Sequence, residues 1–188
     1  MSSLTKRSAL SVLLGVLLGV AFAHLLLIVP PIIGITKIQS WAYIKVPREG
    51  IAKLWYQAWM AHNGPFALSE EEAIYLTRSH DDEGHKLRED CRYQLTGSGF
   101  PASWWSISVY GNDPKWSYRS TSKSSLSMSE LAHTKWELQL TRAPSDQHKP
   151  IHLQGAQNAR LMLRLFDEKK KNLEDFTYPL LKRLGCDS

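Results

Sequence analysis

The densest chemistry in the chain is His80-Asp81-Asp82-Glu83-Gly84-His85, imidazoles and carboxylates crowded into one short polar run. His80, Asp81, Asp82 and His85 are therefore candidate ligands for a divalent metal, with Gly84 permitting a tight turn. The run lacks the regular carboxylate spacing of a calcium loop. It also stands between two expected strands, where polar residues and glycine are what a hairpin tip requires, and the tip is the preferred reading. His148 and His152 have a helical metal-binding spacing, but Pro150 between them disfavours the helix. His133 lies near Ser127 and Ser129 with no Gly-x-Ser-x-Gly pattern to make either serine a nucleophile. Gly97 and Gly99 precede no helix, so they do not form a phosphate-cradling loop. Trp104, Ser106 and Ser108 share one side of an expected strand and are candidate ligand-binding residues, an aromatic face and hydroxyls suited to a sugar groove. The competing reading is that a second sheet packs on them. Nothing in the chain calls for a cofactor.

The element that must position these groups is the stretch Cys91–Gly111. Cys91, Tyr93 and Leu95 alternate with Arg92, Gln94 and Thr96, and Trp105, Ile107 and Val109 alternate with Trp104, Ser106 and Ser108, the period of a half-buried sheet. Gly97, Ser98, Gly99 and Pro101 between them predict a turn, and hence a hairpin. Ala73–Arg78, Lys135–Arg142 and Asn158–Phe166 also read as strands, the last with Ala159, Leu161, Leu163 and Leu165 inward. Asn112–Glu130 reads as a polar segment with Trp116 and Tyr118 in a short strand, and Ala143–Gln157 as a loop. Phe176–Cys186 returns to the body, with Pro179 confining it to an edge if it pairs. Short strands separated by turn signals predict an antiparallel β-sandwich.

The amino terminus is different in kind. Ala9–Val29 holds no charge and only His24 breaks its apolar run, enough for a helix that crosses a bilayer. Ala21-Phe22-Ala23 behind Lys6 and Arg7 imitates a signal-peptidase site. The run continues through Leu25–Ile28, so an uncleaved anchor is preferred. Trp41 and Tyr43 are expected at the headgroup level. After Pro47, the residues Ile51, Leu54, Trp55, Ala58 and Trp59 form one helical stripe. That stripe either lies in the membrane interface or, the preferred reading, packs on the β domain. Lys and Arg flank the span on both sides, so charge does not orient it. A short amino-terminal tail favours the carboxy-terminal domain outside the cytoplasm.

The 188 residues carry a net charge of +5, scattered rather than gathered on one stripe, which argues against nucleic acid as a partner. The two cysteines, Cys91 and Cys186, fit no zinc or redox spacing. From the residues alone, a long-range disulfide and two unrelated small buried side chains stand level.

Glu72-Ala73-Ile74-Tyr75, Asp82-Glu83-Gly84, Leu87, Cys91-Arg92-Tyr93, Pro101, Trp104–Tyr110 and Leu163-Arg164-Leu165-Phe166 together resemble the bacterial DUF1214 family over roughly residues 64–186. The likeness is to its short membrane-anchored branch. It implies a jelly-roll-like β-sandwich, an exported domain, and a Cys91–Cys186 disulfide. The family's usual segment after Tyr110 is replaced by Asn112–Tyr118, and its turn before the Leu163–Phe166 strand by Pro150–Gln154, so a binding site lined by those loops would be altered here. The family brings no settled reaction.

The chain is thus expected to be all-β: a jelly-roll-like antiparallel sandwich (64–188) preceded by a transmembrane anchor (1–36) and a juxtamembrane segment with a short amphipathic helix (37–63). The expected location is the bacterial inner membrane, single-pass, with the domain in the periplasm. The expected role is binding or interaction, with an envelope glycan or lipid or as an accessory subunit of a membrane complex. A hydrolase or other enzyme acting on envelope glycans or small molecules is the alternative. The expected partners are membrane lipid around the amino-terminal helix and a membrane protein or glycan.

Overall fold

The structure is a computed structural model that describes residues 3–29, 35–45, 47, 49–62, 72–111, 125–131, 134–142, 150–153, 156, 158–166 and 172–187. They fall into two compact units, one of helices and one of strands.

The helical unit holds α1 (Ser3–Ile28) and α2 (Gly50–His62). From Arg7 to Ile28 the first helix is long and apolar enough to cross a membrane, and at a rise of 1.5 Å its 22 residues reach about 33 Å. The two helices meet at the end of α1, where the Trp55 indole donates to the Leu26 carbonyl at 2.7 Å. That bond satisfies one of the carbonyls a helix leaves unpaired in its last turn. On α2 the buried residues are Tyr56, Trp59 and Met60. Of the stripe expected from periodicity, only Trp59 is among them. Ile51 is 85% exposed and Leu54 66% exposed. The helix carries apolar side chains around most of its circumference, so spacing alone could not choose the face that is covered.

The other unit is a two-sheet β-sandwich. One sheet has the order β1-β2-β3-β9-β5-β6, from β1 (Ile35–Ile38), β2 (Trp41–Ile44), β3 (Ala73–Arg78), β9 (Arg160–Phe166), β5 (Trp104–Tyr110) and β6 (Ser125–Ser127). The other has the order β10-β4-β7-β8, from β10 (Leu180–Cys186), β4 (Cys91–Ser98), β7 (Lys135–Thr141) and β8 (Pro150–His152). All pairs are antiparallel except β7 with β8, which run parallel.

The period-two alternation works as read. Ile74 and Leu76, Trp105, Ile107 and Val109, and Leu161, Leu163 and Leu165 point inward from the six-stranded sheet. Tyr93, Leu95, Trp136, Leu138 and Leu140 answer from the four-stranded one. Trp105 stacks on Trp136 across the core, ring centroids 5.6 Å apart, and meets the edge of Phe100 at 5.2 Å.

The pairing differs from the expectation at its centre. β4 and β5 do not form a hairpin: β4 bonds to β7 and β10, β5 to β9 and β6. The connection from Gly99 to Ser103 crosses from one sheet to the other, and Gly99 donates to Thr134 while Ser103 donates to Phe166. Alternation reports which face of a strand is buried, and two strands facing each other across a core alternate just as two neighbours do.

Trp41 and Tyr43 are also relocated. They are core residues of β2 rather than headgroup anchors. β1 and β2 are too short for periodicity to reveal, and they turn on Gln39, whose φ of 54° lies in the left-handed region. β8 likewise lies inside the expected loop, with Pro150 at the start of an edge strand, where a missing N–H is tolerated. The expected strand around Trp116 and Tyr118 lies outside the described residues.

Cys91 and Cys186 sit opposite each other in the β4–β10 register and are joined by a disulfide. The bond fastens the last strand to the sheet and closes a loop of 95 residues.

Candidate functional site

The acidic run forms a tight tip after β3, closed by the bridge between His80 and Lys86. Gly84 takes a φ of 85°, which its lack of a Cβ makes cheap. The carboxylates of the tip are already engaged. Asp81 is buried and its Oδ1 accepts from the backbone of Glu83 at 3.1 Å and of His85 at 2.8 Å. Its Oδ2 lies 2.9 Å from the Arg183 guanidinium. Burial alone would push this carboxyl up; the His85 N–H, Arg183, the His85 ring and the Glu83 N–H outweigh it and hold Asp81 below the usual carboxylate range. Asp82 pairs with Arg78 at 2.5 Å and accepts from the Leu181 N–H at 2.7 Å. Arg78 also donates to the carbonyls of His80 and Pro179. Together these bonds tie β3 and the tip to β10. His80 is exposed and turned to Ser79. Among the described residues no cluster of three His, Cys, Asp or Glu groups is arranged to hold a metal.

The other motifs disperse. His152 is buried on β8. His148 and His133 lie outside the described residues. The Ser127 hydroxyl bonds to Ser129 and donates to Glu130. Gly97 is inside β4 rather than in a turn, pressed against the Trp136 ring.

What remains is the outer face of the six-stranded sheet. Alternation along β5 and β9 brings Trp104, Ser106, Ser108 and Tyr110 beside Phe166, Arg164, Met162 and Arg160, pair by pair. The three residues singled out from sequence do not act alike. Trp104 is 40% exposed and meets the Phe166 ring edge-on at 5.0 Å. Ser108 bonds to Ser125 at 2.9 Å, and Ser125 donates to the Ile107 carbonyl, so that hydroxyl is spent holding β6. Ser106 is only 3% exposed and its hydroxyl has no partner among the described residues.

Sequence reasoning passed over the arginines. Arg160 and Arg164 are four apart on one strand and so on one face, about 13 Å between Cα atoms at the rise of a strand. Arg164 closes that gap by reaching toward Tyr110, the register partner of Arg160. Its guanidinium lies 5.6 Å from the Tyr110 ring centre and donates to the Tyr110 hydroxyl. Arg160 is largely desolvated, which draws its guanidinium below its ordinary value while Tyr110 pulls it back up. Its Nε has no hydrogen-bond partner among the described residues. Neither arginine is paired with a carboxylate among the described residues. The alternation of Asn158–Phe166 held the signal: it placed both arginines on the face that was not the core.

Comparison with known families decides the relationship. The family described as protein of unknown function DUF1214 matches residues 72–170, more than half of the chain. This protein belongs to the DUF1214 family. The matched span runs from the start of β3 through β9 and so contains both strands of the arginine face. In solved structures, this DUF1214 chain resembles a protein of Vibrio parahaemolyticus at 16% identity and a TM-score of 0.54. The likeness covers 72% of this chain and 36% of that one, so the chain spans about a third of that protein's length. An uncharacterized protein from Burkholderia cenocepacia aligns at 9% identity with a TM-score of 0.45, over 60% of this chain and 29% of that one. The likeness to the Vibrio protein concerns fold alone. Comparison with curated proteins finds no match.

Proposed function

We propose that this DUF1214 protein is a single-pass protein of the bacterial inner membrane whose β-sandwich lies in the periplasm and binds an envelope component. That component is a glycan, a lipid, or a membrane complex that the sandwich serves as accessory subunit. The observation that carries the binding role is the outer face of the six-stranded sheet. It buries the Ser106 hydroxyl and the Arg160 Nε without partners among the described residues, groups that cost stability unless something bonds to them. A sheet face that served packing alone would be served better by apolar side chains.

The anchoring half rests on the helical unit. From Ala9 to Ile28 α1 is apolar around its circumference apart from isolated Ser and His, and it is exposed except where Leu26 and Leu27 are half-buried, as a lipid-facing helix is. Ile51 and Leu54 extend that apolar surface onto α2, and the Trp55 indole at the end of α1 has the amphipathic character favoured at a headgroup boundary. The Cys91–Cys186 disulfide suits an oxidising compartment.

Two measurements test the reading. A reporter fused after Ser188 should be active in its periplasmic form and silent in its cytoplasmic one. The full-length chain, extracted in mild detergent and examined by native mass spectrometry, should carry bound lipid, glycan or a stoichiometric membrane partner. A cytoplasmic reporter signal sinks the location. Recovery of the bare chain alone under every extraction condition sinks the binding role.

A further inference from the structure

We infer that the outer face of the six-stranded sheet is an oxyanion receptor, built by Arg160, Arg164, Tyr110 and Ser106 to hold a phosphate or carboxylate group. The inference rests on the binding role proposed above and names its ligand class.

The argument begins from donors. Arg164 donates to the Tyr110 oxygen, which leaves the phenolic O–H free to donate in turn. Arg160 lies opposite Tyr110 in the register and brings a buried Nε–H that nothing among the described residues accepts. Ser106, opposite Arg164, supplies a hydroxyl more than nine-tenths buried and unpartnered. Each group can donate, two are cationic, and no carboxylate pairs with either arginine among the described residues. A neutral sugar is recognised by donors and acceptors together; a face of donors and positive charge selects an acceptor with negative charge.

Energetics point the same way. Met162 and Ser108 lie between the two arginine rows and are buried, so the charge sits over a floor with little water. A guanidinium taken out of water without a counter-ion is costly, and bringing an anion to it removes the cost. The Tyr110 hydroxyl accepts from Arg164 at the end of the ring, which sets the guanidinium in advance of binding. The aromatic pair Trp104–Phe166 continues the same face and offers an apolar neighbour to whatever bears the anion.

The test is thermal unfolding of the full-length protein in a neutral detergent. Two probes are added at matched ionic strength: inorganic phosphate against chloride, and short-chain phosphatidylglycerol against phosphatidylcholine. Because an anion that binds only the folded state stabilises it by mass action, at least one probe should raise Tm by several degrees. A response to phosphate identifies a free oxyanion as sufficient; a response to phosphatidylglycerol alone identifies a lipid headgroup. R160Q should abolish the increment while leaving the unliganded Tm equal to or above the wild type, since it removes an uncompensated buried charge. S106A should reduce the increment and leave the unliganded Tm equal to or above the wild type, since it removes a buried hydroxyl that has no partner among the described residues. The proposal is overturned if neither probe stabilises the wild type, or if R160Q lowers the unliganded Tm and keeps the increment. A chain that brings a membrane partner through extraction yet answers neither probe overturns the anion site while the broader binding role stands.

Discussion

Replacing Gly97 by alanine probes the centre of the fold. A Cβ built at Gly97 falls 2.4, 2.6 and 3.0 Å from three atoms of the Trp136 ring. Restoring ordinary contact requires a displacement of about 1 Å, and the ring has nowhere easy to go. It is buried, paired with Gly97 in the β4–β7 register, and stacked on Trp105, which in turn meets Phe100. Overpacking of this kind costs about 1–3 kcal/mol. The alanine recovers about 0.5–1 kcal/mol because Gly97, with an ordinary φ, loses more chain entropy on folding. The net expectation for G97A is a loss of about 1–2 kcal/mol, or about 2–8 °C in Tm for a chain of this size. Calorimetry on the full-length protein measures the loss, and near-ultraviolet circular dichroism reports the disturbed Trp105–Trp136 stack. A double-mutant cycle with W136L isolates the cause: in that background G97A should be neutral or stabilising, a coupling of about 1–3 kcal/mol. If G97A costs as much with leucine at 136 as with tryptophan, the close approach of the ring is not why glycine stands there.

Three further expectations follow from the same structure. C186S should destabilise the sandwich by about 4–5 kcal/mol on the chain-entropy account of a loop of 95 residues, and reductant should lower the wild-type Tm toward that of the variant. D81N should cost about 2–4 kcal/mol near neutrality by leaving Arg183 without its buried partner. Because the folded Asp81 carboxyl is held below its unfolded value, its contribution is present above about pH 4 and lost as pH falls, so D81N should also flatten the acid limb of a stability–pH profile. Trp55 fluorescence should be quenched by lipids brominated near the headgroup more strongly than by lipids brominated at the chain end, and L54E should weaken that quenching.

Much of the fold was legible because burial has a period. The inward sets Trp105, Ile107, Val109 and Leu161, Leu163, Leu165 could be named from alternation, and the apolar run of α1 from length alone. The pairing of β4 with β7 and β10 could not, because alternation names a face and not a neighbour. β1, β2, β6 and β8, of three or four residues each, are shorter than any window in which a period shows. Trp41 was misplaced for the same reason: beside an apolar helix a lone tryptophan suits an interface, and only its bond to the Pro179 carbonyl and the Arg78 guanidinium over its ring mark it as core.

The candidate site divides along the same line. Residue types drew attention to His80–His85, where carboxylates crowd, yet Asp81 and Asp82 turn out to be anchors for Arg183, Arg78 and the backbone of β10. The arginine face drew none, because Arg160 and Arg164 stand in a strand chosen for its leucines and their partners Tyr110 and Ser106 lie some fifty residues away in the chain. By itself the sequence determined what the longer strands would bury and that the run from Ala9 to Val29 was uncharged and almost wholly apolar, since both follow from local spacing and transfer from water. Only the tertiary structure decided which strands meet, and with that which charges lack a partner. Charge compensation depends on distance through space, and the β5–β9 register sets that distance.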